Sequence, residues 1–204
     1  MTGIKICGLI DAQEIEAVNL LMPDYVGFVF ADSSRRINEG IAKRLKEALD
    51  KNIKAVGVFV NERIDRIVSI CDKGIIDLVQ IHGDEDEDYI KELKLRSKKP
   101  VIRAFRIRLM EDIRRAKESQ ADYVLLDSFT KGVYGGSGRS FPWNMAKEIG
   151  REFFLAGGIN GSNVIEAVSS CHPYCIDVSS GVETRGSKDI EKMRDIIEKV
   201  RSVK

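Results

Sequence analysis

Eight short β-type apolar runs recur along this 204-residue chain, and a helical pattern follows each of them. The runs cover residues 3–7, 25–30, 55–60, 78–82, 101–105, 123–127, 153–156 and 175–178. Parallel strands need a long crossover, usually a helix, so strict alternation predicts an α/β architecture with a parallel sheet. Eight such units in one chain of this length predict a single-domain (β/α)8 barrel spanning 1–204. The rival, an open doubly wound sheet, expects a glycine-rich phosphate turn after the first strand, and Cys7-Gly8-Leu9-Ile10 is not one.

The helical patterns carry their own punctuation. Asp11 caps the first helix, with Glu14 placed as in a capping box. Ile41, Leu45 and Leu49 mark the second; Ile64, Ile67, Val68 and Cys71 mark the third, which Gly74 stops. Ile90 and Leu93 mark the fourth, Ile113 and Ala116 the fifth, and residues 143–149, with Pro142 in the first turn, the sixth. Val164, Ile165 and Val168 mark the seventh, and Ile190, Met193, Ile197 and Val200 the eighth.

Composition removes several function classes. The formal net charge is +1, so no global field draws the chain to nucleic acid or anionic lipid. No apolar run approaches the ~20 residues of a membrane span, and the N-terminus has no signal-peptide pattern. Cys7, Cys71, Cys171 and Cys175 are therefore expected as free thiols in a reducing cytoplasm. The expected partner is a phosphorylated small molecule, and the chain is expected to be a monomer or a homodimer.

A barrel places its active site where the strands end. That rule gathers Cys7, His82, Asp127 and the segments after Ala156 and Val178 on one face. Gly157 and Gly158 follow the seventh strand; Asp177, Ser179, Ser180 and Gly181 belong to the end of the eighth. Glycines there let backbone N–H groups approach a phosphate, although tight strand-to-helix turns use glycine too. Cys7 shares a strand face with Lys5, and an adjacent ammonium favours the thiolate, whereas a free cysteine is ordinarily a buried small hydrophobe. Asp127 ends a run of four β-formers, where partial desolvation raises a carboxyl pKa and suits it to proton donation; a cap or ion-pair role is the plainer reading. Arg35 and Arg36 follow the second strand, and a guanidinium suits a carboxylate or phosphate. His82 reads as an orienting residue or a ligand. Cys171, His172 and Cys175 fall on the opposite, stability face, and the acidic run 84–88 suits a helix N-terminus without a metal. Residues 128–141 form the longest connection, which contains Tyr134-Gly135-Gly136-Ser137-Gly138 and reads as a lid.

Several segments occur in a recognisable order: Lys5-Ile6-Cys7-Gly8, Gly27-Phe28-Val29-Phe30, Gly57-Val58-Phe59-Val60-Asn61, Gln80-Ile81-His82-Gly83, Leu125-Leu126-Asp127, Tyr134-Gly135-Gly136-Ser137-Gly138, Ala156-Gly157-Gly158 and Asp177-Val178-Ser179-Ser180-Gly181-Val182-Glu183. In these the chain resembles the phosphoribosylanthranilate isomerases of tryptophan biosynthesis. The resemblance implies an Amadori rearrangement without a cofactor, with Cys7 as general base and Asp127 as general acid. It also implies Arg35 as partner of the substrate carboxylate, with Arg36 as the alternative because arginine stands where the family usually has an aromatic. Phe141-Pro142-Trp143 likewise replaces the family's Phe-Asp-Trp.

Other readings are an isomerase of histidine synthesis, expected to carry an aspartate where Cys7 stands, and a ribulose-phosphate epimerase, which needs more metal-binding residues around the rim than His82. A catalytically silent phosphate-binding barrel would be marked by loss of Cys7 or Asp127, and both are present.

Overall fold

A computed structural model describes residues 1–128 and 142–203. Eight parallel strands close on themselves: β1 (Gly3–Cys7), β2 (Tyr25–Val29), β3 (Lys54–Phe59), β4 (Leu78–Ile81), β5 (Val101–Ile107), β6 (Tyr123–Ser128), β7 (Phe153–Leu155) and β8 (Cys175–Val178). The expected runs are all present, with ends moved by one or two residues. Closure is made by β1 against β8, in a register that sets Lys5 beside Asp177.

The helices are α1 (Ala12–Leu21), α2 (Glu39–Ala48), α3 (Ile64–Asp72), α4 (Glu87–Ser97), α5 (Met110–Glu118), α6 (Val164–Cys171) and α7 (Ile190–Ser202). The sixth expected helix is a 3-10 segment, Trp143–Ile149, which begins after Pro142 and ends at Gly150 in the left-handed region (φ 66°). It still buries Trp143, Ala146 and Ile149. Asp11 caps α1 as expected, accepting from the Glu14 N–H at 2.9 Å. The Glu14 carboxylate does not close the box on Asp11. It accepts from the N–H of Ile10 at 2.7 Å and of Lys188 at 3.0 Å, tying α1 to the chain beyond β8.

Strand alternation sorts side chains into two cores. Outward residues such as Ile4, Ile6, Val26, Phe28, Val79 and Leu126 meet the helices. Inward residues Tyr25, Val56, Leu78, Ile102, Leu125, Phe154 and Cys175 fill the barrel. At its lower end Tyr123, Phe154 and Tyr174 lie with ring centroids 5.2–5.7 Å apart. The barrel is thus plugged below, and a cleft opens at the strand C-termini. Past β8 the chain makes a 3-10 turn, Ser180–Val182, and a short hairpin of β9 (Glu183–Thr184) and β10 (Ser187–Lys188). Among the described residues no helix is long and apolar enough to cross a membrane.

Candidate active site

The cleft at the strand C-termini is lined by Cys7, Arg35, His82, Asp127, Gly157, Gly158, Asp177, Ser179, Ser180 and Gly181. Every site residue expected from the sequence is therefore in one place. Arg35 faces the cleft, whereas Arg36 is exposed and bridges back to Val29. Cys171 and Cys175 are buried free thiols, and His172 is the left-handed cap of α6, below the barrel. The expected glycine lid falls on residues 129–141 and lies outside the described residues.

Cys7 projects inward from the end of β1, in register with Gly27 of β2. A Cβ on Gly27 would stand 2.5 Å from the Cys7 sulfur, so glycine there makes room for the thiol. Lys5 lies on the same inward face, as alternation required, and it too is buried. The Lys5 ammonium is fully buried and donates to both oxygens of Asp177, at 2.9 and 3.0 Å. Burial alone would pull the lysine pKa down; the Asp177 carboxylate, and then the Cys7 sulfur, reverse that and hold it above its ordinary value. Burial pushes the Cys7 thiol up, and Lys5 only partly offsets this because Asp177 opposes it.

Asp127 ends the inward row of β6 and is buried. Its Oδ1 accepts from the Ser128 N–H at 2.8 Å, and its Oδ2 lies 3.2 Å from His82 Nε2. His82 Nδ1 in turn lies 3.1 Å from the buried amide of Gln80, two residues back on the same strand face.

The turns after β7 and β8 touch. Gly157 and Gly158 both have positive φ (89° and 70°), a region that side chains other than glycine rarely adopt. A Cβ on Gly181 would stand 1.9 Å from the Ile159 carbonyl oxygen, so only glycine lets the two turns approach. Among the described residues the N–H groups of Gly158, Ser180 and Gly181 make no hydrogen bond, which leaves donors at the corner for an anion. Ser179 Oγ donates to the Cys7 carbonyl at 3.0 Å, pinning this corner to β1.

Two residues of the β9–β10 hairpin complete the rim, and neither is among the sequence-derived candidates. Glu183 accepts from Arg35 Nε (2.7 Å) and Nη2 (2.8 Å) and from Lys188 Nζ (2.7 Å). Lys188 also donates to the Ser179 carbonyl at 3.2 Å. Lys5 pairs with Asp177, and Arg35 and Lys188 share Glu183, so three cations are held beside Cys7 in a cleft that Asp32 and Asp127 also line. Burial works to raise the Glu183 pKa, but Arg35 and Lys188 outweigh it and bring it down to about 2. A depressed carboxylate pKa contributes stability above its ordinary 4.5, and that stability is lost as pH falls toward 2. Glu183→Gln is accordingly expected to lower stability at pH 7 by about 1 kcal/mol, given partial solvent screening. Urea unfolding of both proteins should show this gap closing between pH 4.5 and 2; a gap independent of pH would refute the ionic clamp.

The family model for N-(5'-phosphoribosyl)anthranilate isomerase matches residues 4–199. The chain is 48% identical to N-(5'-phosphoribosyl)anthranilate isomerase of Endomicrobium trichonymphae, over 100% of both chains. Its fold is similar to the crystal structure of phosphoribosyl anthranilate isomerase from Thermotoga maritima, with a TM-score of 0.90 and 31% identity over 98% of this chain and 99% of that one. It is also similar to a phosphoribosyl anthranilate isomerase solved in complex with reduced 1-(o-carboxyphenylamino)-1-deoxyribulose 5-phosphate, with a TM-score of 0.87 and 30% identity over 98% and 99% of the two chains.

Proposed function

Because the chain belongs to the N-(5'-phosphoribosyl)anthranilate isomerase family, we propose that Cys7 and Asp127 are the base and the acid of its reaction. The reaction is the isomerisation of N-(5'-phosphoribosyl)anthranilate to 1-(2-carboxyphenylamino)-1-deoxyribulose 5-phosphate, a step of tryptophan biosynthesis. The observation that carries the assignment is that a thiol and a carboxyl from non-adjacent strands line one cleft, beside a corner whose backbone donors are unpaired among the described residues.

Asp127 donates its proton to the furanose ring oxygen. The C1–O bond breaks, and the lone pair of the anthranilate nitrogen forms a C1=N iminium. Cys7, as thiolate, removes the proton from C2; the C2–H electrons form C1=C2, and the iminium π pair returns to nitrogen. The resulting enol then loses its hydroxyl proton and gains one at C1, giving the ketone. The substrate nitrogen is the electron sink throughout, so the scheme asks for no cofactor. The iminium adds a positive charge in front of Cys7 to that of Lys5 beside it, and both favour the thiolate.

Gly157, Gly158, Ser179, Ser180 and Gly181 hold the phosphate through backbone donors and the serine hydroxyls. Asp177 acts through Lys5, which it keeps charged inside the barrel. Arg35, held in place by Glu183, takes the anthranilate carboxylate, and Arg36 has no part in it. The four free cysteines fit a cytoplasmic enzyme.

The reading is tested by following the fluorescence decay of enzymatically generated phosphoribosylanthranilate. Arg35→Ala is expected to raise KM about 10- to 100-fold, the loss of a charge-assisted hydrogen bond. Inhibition by inorganic phosphate should change little. An equal loss of both would overturn the carboxylate assignment.

A further inference from the structure

Gln80 sits on β4, buried, with its amide against His82, and the reaction scheme above gives it no task. Its Nε2 lies 3.1 Å from His82 Nδ1, and its Oε1 is buried without a partner among the described residues. An amide nitrogen only donates. Facing Nδ1 with its NH2, it requires Nδ1 to be the bare, accepting nitrogen, so the imidazole proton resides on Nε2. The opposite amide orientation would leave both amide hydrogens buried without an acceptor, and orphaned donors are rarer than orphaned carbonyl oxygens. The orphan Oε1 is the mark of the first arrangement.

The tautomer matters because His82 Nε2 faces Asp127 Oδ2 at 3.2 Å. A bare Nε2 would accept the Asp127 proton in an internal hydrogen bond and divert it from the cleft. An Nε2–H instead donates to Oδ2 and leaves the acidic proton only the direction of the substrate. It also stabilises the carboxylate that remains after donation. We propose that Gln80 is a positioning residue that selects the Nε2–H tautomer of His82 and thereby directs the acidic proton of Asp127 into the cleft. The inference rests on Asp127 being the general acid.

His82 and His172 are the two histidines of the chain, so 15N-histidine NMR of the intact protein reads each tautomer directly. Wild-type His82 is expected to show Nε2–H and a bare Nδ1, with His172, below the barrel, as the internal control. Gln80→Leu is expected to populate Nδ1–H and to lower kcat about 10-fold or more, with KM within about twofold. Gln80→Glu keeps the shape but offers an acceptor; it is expected to draw a proton to Nδ1 and to lower kcat likewise. A wild-type Nδ1–H tautomer overturns the proposal whether or not the variants fold. Undiminished kcat in Gln80→Leu beside an inactive Asp127→Asn overturns this inference alone. An undiminished Asp127→Asn overturns the acid assignment and this inference with it.

Discussion

Asp127→Asn is expected to lower kcat by about 10²- to 10⁴-fold, the usual contribution of a positioned general acid. The substitution keeps the size of the side chain and its acceptor for the Ser128 N–H. What it removes is the ionisable proton, and an amide cannot replace it in opening the sugar ring. Substrate analogues should bind about as well as before, because the phosphate corner and Arg35 are built from other elements. The fall therefore belongs in kcat and kcat/KM alike, the signature of an interaction made in the transition state. Near-normal kcat would mean that another group protonates the ring oxygen.

Cys7→Ala is expected to cause a comparable loss, about 10²- to 10⁴-fold, because nothing else at the end of β1 can remove the C2 proton. Cys7→Ser should do no better, since a hydroxyl ionises far less readily than a thiol and supplies almost no anionic base at neutral pH. The environment of Cys7 adds a second readout. Burial holds the free enzyme's thiol above its ordinary value, with Lys5 compensating only in part. Iodoacetamide should therefore alkylate Cys7 more slowly than a free thiol near neutral pH, and the rate should rise steadily into the alkaline range. Bound product should protect it. Fast alkylation at neutral pH would mean that Lys5 outweighs burial at Cys7 in the free enzyme. A Cys7→Ser enzyme of near-normal kcat would remove the base assignment itself.

Both residues were legible in the sequence for one reason. Each ends a β-type run, and in a barrel the strand end is the active face. The turns after β7 and β8 were placed at that face on the same ground, since their glycines follow directly on strands. The cap Asp11 was also local enough to read, and the acidic run 84–88 does lie at the start of a helix, where the structure makes Asp86 the cap. The 3-10 form of Trp143–Ile149 was not, because the same apolar spacing serves both kinds of turn over seven residues.

Charge was hidden where the deciding partner lies far along the chain. Lys5 and Cys7 do share a face and Lys5 does pull the thiol pKa down, but burial outweighs it, and Asp177, 172 residues away, takes hydrogen bonds from the ammonium. Arg35 and Glu183 are 148 residues apart and meet only because the hairpin after β8 folds back over the loop after β2. Gln80, His82 and Asp127 form a row that exists only once two non-adjacent strands point into the same barrel.

By itself the sequence determined the periodicities, and with them the eight units, the face on which each side chain lies and the end at which chemistry can occur. Those properties depend on neighbours two to four residues apart, which any stretch of chain carries within itself. Only the tertiary structure decided which charges neutralise one another and which side chains meet across the barrel. That depends on the register in which β8 closes against β1, and register is a property of the whole ring that no single segment contains.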